Sequence, residues 1–116
     1  MSKRANVVQD KSYEFAKRMI RLYQHLSDEK KEFVLSKQVL RSGTSIGANI
    51  EESLGGSSRR DFKAKMNIAY KEARETKYWL RLLKDTGYIE EAAFQSVSND
   101  CEELLKLLYT IIQSSK

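Results

Sequence analysis

Eight residues on one side of a long helical segment are the strongest candidates for chemistry in this sequence: Arg60, Lys63, Asn67, Tyr70, Arg74, Lys77, Arg81 and Lys84. They recur at steps of three and four, which aligns them along one face of an α-helix. Six of the eight are Arg or Lys, and Arg59 adds another cation where the segment begins. Sorted this way, the charges form a ridge suited to backbone phosphates. Tyr70 lies inside the ridge, where its ring can stack on a base. The same spacing also describes an ordinary solvated helix face, because long helices often carry charge runs. On the residues alone both readings stand.

A second set is acidic and amide-bearing. Asn49 and Glu52 fall one turn apart, as do Glu72 and Glu75, and Trp79 continues the flank of the latter pair. One reading is a polar network between helices or subunits, with Arg41 supplying the opposite charge. The other is a carboxylate metal site. Di-iron bundles take paired Glu-x-x-His motifs, whereas the one histidine, His25, has Leu22 three residues before it. No metal and no cofactor are therefore expected. His25 suits a helix C-terminus, where a cation is favoured. Cys101 lies on an apolar stripe and is most simply a small buried residue. Gly55-Gly56-Ser57-Ser58 precedes a helix but lacks the Lys-Ser/Thr end of a phosphate-binding loop, so it reads as a turn. With no nucleophile, base or metal set to assemble, no enzyme is expected.

The elements that must position these residues are helical. The chain has 116 residues, no Pro and five Gly, which favours one domain of long, uninterrupted helices. Four are expected. The first spans about 10–26, with Phe15, Met19, Leu22 and Leu26 inward and Asp10 or Ser12 at its start. The second spans about 36–54. Its middle, Ser42 to Asn49, has poor helix propensity and reads either as a loop or as helix. Helix is preferred here, because Gly43, Gly47 and Ala48 let a neighbour approach closely. The third runs from Ser58, which with Asp61 resembles a capping box, to about Thr86. Phe62, Met66, Ala69, Ala73, Thr76, Leu80 and Leu83 form its core face, and Gly87 follows as a left-handed terminator. The fourth begins after Ile89 and presents Phe94, Val97, Cys101, Leu104, Leu108 and Ile111. Short connections make an antiparallel up-down-up-down four-helix bundle the expected architecture.

The net charge is +5, with the excess confined to residues 1–86, while 87–116 hold two cations against five acids. A basic field favours anionic partners. No apolar run approaches the about 18 residues of a membrane span. The N-terminus lacks a signal-peptide pattern, and the lone Cys fits a reducing compartment. A cytoplasmic protein with no membrane partner is expected.

Several stretches carry a resemblance. Arg41-Ser42-Gly43-Thr44-Ser45-Ile46-Gly47-Ala48-Asn49-Ile50-Glu51-Glu52 resembles the signature of bacterial four-helix-bundle proteins encoded by intervening sequences of 23S ribosomal RNA. So do Asp61-Phe62-Lys63, the run from Ile68 to Thr76, and Tyr78-Trp79-Leu80. The chain departs from the pattern at Glu51-Glu52-Ser53, where many members read Ala-Glu-Gly. The resemblance implies a cytoplasmic bundle that assembles into a ring, of five subunits, with no established enzymatic activity. A related accessory protein of diversity-generating retroelements is a basic scaffold for nucleic acid and a reverse transcriptase.

Two functional expectations follow. The first is a non-enzymatic ring-forming bundle that binds RNA or DNA non-specifically through Arg59, Arg60, Lys63, Tyr70, Arg74, Lys77, Arg81 and Lys84. The second is a protein-binding adaptor or scaffold with no direct nucleic-acid contact. Ile68, Trp79 and Leu82 lie away from the core face and are expected at an interface between copies; under the second reading that flank, together with the bundle ends, is the surface that binds the partner.

Overall fold

The computed structural model describes residues 3–56 and 58–115. Ser57 of the expected turn lies outside them, as do Met1, Ser2 and Lys116. Among the described residues the chain is all-α, with four helices and no strand: α1 (Lys3–Asp28), α2 (Leu35–Leu54), α3 (Arg59–Asp85) and α4 (Glu91–Ser114). The molecule is 44 Å long and about half as wide. That length is what one helix of α3's size, at about 1.5 Å per residue, requires.

Each helix buries one stripe. Val8, Phe15, Met19 and Leu26 of α1 meet Val39, Ile46 and Ile50 of α2, together with Met66, Leu80 and Leu83 of α3 and Leu104 and Leu108 of α4, in one core. Each helix packs against the next in sequence, and α4 returns to α1 by a sparser contact. Contacting residues run in opposite order along each pair. Lys11 meets Glu103 and Arg18 meets Asp100; Lys65 meets Glu52 and Arg41 meets Glu72.

The first helix starts seven residues earlier than its caps suggested. Ala5 and Val8 continue the buried Ser12, Phe15 and Met19 face, and that burial carries the helix back to Lys3 without a cap at Asp10 or Ser12. Helix α2 is unbroken through Ser42–Asn49. Gly43 lies against Met19 of α1, and Gly47 faces Ser12. Ala48, expected in the same contact, is exposed instead. The start of α2 is held by Glu32, whose carboxylate accepts from the backbone N–H groups of Val34, Leu35 and Ser36 at 3.3, 3.1 and 2.7 Å. A carboxylate there satisfies donors that lack intrahelical partners. For α3, Ser58 Oγ accepts from Asp61 N at 3.1 Å. Gly87, at φ +86°, takes the left-handed conformation that ends it.

Candidate nucleic-acid interface

Helix α3 directs its buried face, from Met66 to Leu83, at α2 and α4. The basic stripe lies on the α4 side. Arg59, Arg60, Arg74 and Arg81 are exposed, while Lys63, Tyr70, Lys77 and Lys84 are half-buried. Two of the cations lie close enough to α4 to meet its acids. Lys77 Nζ is 2.6 Å from Glu102 Oε1, and Lys84 Nζ is 3.2 Å from Glu91 Oε2 and 5.0 Å above the Phe94 ring. Hydrogen bonding to Gln95 and to Lys84 lowers the pKa of Glu91, holding it ionised. Arg59, Arg60, Lys63, Arg74 and Arg81 make no ion pair among the described residues. The ridge is therefore double: an inner edge neutralised by α4 and an outer edge left open. Asn67 serves its own helix, donating to Lys63 O at 2.9 Å.

Tyr70 is paired with Tyr109 of α4, ring centroids 6.4 Å apart and tilted by 47°. Between the helices the two rings border a cleft of about 320 Å³, flanked by Arg74 and by Lys106. Lys106 and Tyr109 had no place in the sequence-based site. Their spacing with Glu102 puts all three on one face of α4, but only the packing of α4 on α3 brings that face to the stripe.

On the α2 side, Arg41 joins Glu72 and Glu75. Its guanidinium is 3.3 Å from Glu72 Oε2, makes a shorter contact with Glu75, and also donates to Gln38. Trp79 Nε1 donates to the same Glu75 oxygen at 2.9 Å. Beneath them Thr76 Oγ1 and Ser42 Oγ share a buried hydrogen bond of 2.9 Å. Asn49 and Glu52 stand apart from this group. Asn49 Nδ2 donates to Ser45 O and Oγ, and Glu52 pairs with Lys65 at 2.8 Å. Of the expected interface residues, Ile68 is exposed, whereas Trp79 and Leu82 are half-covered by their own bundle. Tyr78, 54% exposed and edge-on to Trp79, adds apolar surface beside them.

Residues 4–110 match the model of the 23S rRNA-intervening sequence protein family. The chain belongs to that family. A solved structure from Bacteroides thetaiotaomicron VPI-5482, a protein of unknown function from the S23 ribosomal protein family, is similar over nearly the whole fold. Its TM-score is 0.94 at 57% identity, over 95% of this chain and 98% of that one. No curated protein matches the chain.

Cys101 is buried and donates to Ala73 O at 3.4 Å, and burial pushes its thiol up to about 12. Such a thiol stays protonated and unreactive near neutral pH. His25 sits in the last turn of α1 against Glu29. Among the described residues no three His, Cys, Asp or Glu side chains converge as metal ligands would. Nor is any described helix long and apolar enough to cross a membrane.

Proposed function

We propose that this protein is a non-enzymatic, single-domain, antiparallel up-down-up-down bundle that assembles into a ring in the cytoplasm and holds RNA or DNA by its backbone. The five-subunit ring comes from the family resemblance; the opposite order of contacts along neighbouring helices supports the topology. One observation carries the nucleic-acid reading. Arg60, Lys63, Arg74 and Arg81 lie along one side of α3 with no ion-pair partner among the described residues, while Glu91 and Glu102 of α4 are engaged by Lys84 and Lys77. Three of the four are exposed and Lys63 is half-buried; aligned cations without ion pairs are the groups that exchange counterions for phosphates. Binding of mixed RNA and DNA measured across a salt series tests this reading. Absence of binding at low salt overturns it.

A protein-binding adaptor is the alternative, and a specific feature favours it. Ile68 and Tyr78 expose apolar surface beside the Arg41 cluster, and two cations of the stripe, Lys77 and Lys84, are neutralised within the subunit. Under that reading the flank of Ile68 and Tyr78 receives a protein partner, and the basic stripe serves solubility.

A further inference from the structure

We infer that the cleft between α3 and α4 takes an unpaired base, so that the preferred ligand is a single-stranded polynucleotide rather than a duplex. The inference rests on the phosphate-binding reading above and narrows its substrate class. Its basis is the pairing of aromatic and cationic groups from two helices. Tyr70 and Arg74 lie one turn apart on α3, and Lys106 and Tyr109 lie one turn apart on α4. Each ring thus has a cation beside it, and neither cation has an acid partner among the described residues. The rings are tilted rather than stacked on each other, and Tyr109 is 53% exposed, so a planar face remains uncovered. Leu105 supplies an apolar floor, and the depression, about 320 Å³ and open to solvent, offers a surface on which one nucleobase can lie. Glu102 also lines it, but Lys77 at 2.6 Å compensates the charge that would repel a phosphate.

Stacking on an aromatic side chain tolerates any base and needs one that is free of its duplex neighbours. Bases inside a double helix cannot enter a cleft between two helices, so a duplex would meet only the outer cations. Single strands gain both contributions: phosphates on Arg74 and Lys106, and a base on Tyr109 with Tyr70 behind it.

The test compares three probes of equal length on the intact protein: an oligothymidylate of about ten nucleotides, the same backbone without bases, and a duplex. The oligothymidylate is expected to bind most tightly. Tyr109→Ala should weaken it by roughly 5- to 150-fold and leave the abasic strand unchanged, while Tyr109→Phe retains tight binding. The wild-type comparison of abasic and base-bearing strands requires no variant to fold. Equal binding of all three probes with steep salt dependence would overturn the base cleft and leave the phosphate track intact. No binding of any probe at low salt overturns both.

Discussion

A methyl group at Gly43 would lie 2.3 Å from Met19 Cγ and 2.7 Å from its Sδ, whereas one at Gly47 would meet Ser12 no closer than 3.4 Å. The two glycines look alike in the sequence and do different jobs. At Gly43 the backbone of α2 touches the middle of a buried side chain, which has no room to retreat. Replacing Gly with Ala in a helix gains about 1 kcal/mol of propensity. At Gly43 overpacking, about 1–3 kcal/mol, opposes and outweighs that gain. Gly43→Ala is therefore expected to lower the unfolding free energy, and Gly47→Ala to leave it unchanged or raise it. Chemical denaturation of the two variants checks this; Gly43→Ala proving the more stable of the pair would contradict the packing described. The sequence made the small-residue face visible but not its centre. Which glycine bears the contact depends on where Met19 of α1 lands, and Ala48, in the same run, ends up in solvent.

At the scale of elements, α3 was legible almost residue by residue. Its apolar positions repeat at three and four, Ser58 caps it and Gly87 ends it, so local signals and burial agree. Helix α1 was less so. Its first two turns contain only Ala5 and Val8 as buried apolar residues, too few to mark a face before the packing is known. The division of the basic stripe was not legible at all. Lys77 and Lys84 pair with Glu102 and Glu91 only because α4 packs on α3 in one register, and no spacing within α3 encodes that. The Arg41, Glu72 and Glu75 cluster was legible in part. Asn49 and Glu52 share its helix face by spacing but find nearer partners in Ser45 and Lys65. If α4 restrains the inner cations, freeing them should strengthen nucleic-acid binding. Glu91→Gln with Glu102→Gln is expected to tighten binding and steepen its salt dependence by about 0.7 to 0.9 for each phosphate newly engaged. Titration of the double variant against the wild type at several salt concentrations checks it, and unchanged affinity and slope would place Lys77 and Lys84 outside the interface.

For the whole molecule, two surfaces have to coexist. The cations lie on the α4 side of α3 and Ile68 lies on the Glu72 and Glu75 flank, while Tyr78 stands one turn from both Arg74 and Arg81, so the apolar surface adjoins the outer edge of the stripe. A ring built this way would repeat the stripe once per subunit and multiply weak phosphate contacts. Ile68→Asp with Tyr78→Asp should then yield smaller species than wild type in sedimentation velocity, and an unchanged distribution would move the interface elsewhere. The central claim, that the outer cations of α3 are a phosphate track, has a more direct test. The slope of log affinity against log salt is measured for wild type and for a variant with Arg60, Lys63, Arg74 and Arg81 all replaced by Ala. These side chains avoid the core, so the variant is expected to stay folded and helical. The account predicts weaker binding to every sequence tried and a slope smaller by about 3, at about 0.7 to 0.9 for each phosphate no longer neutralised. A folded variant that binds as tightly as wild type with the same slope would contradict it.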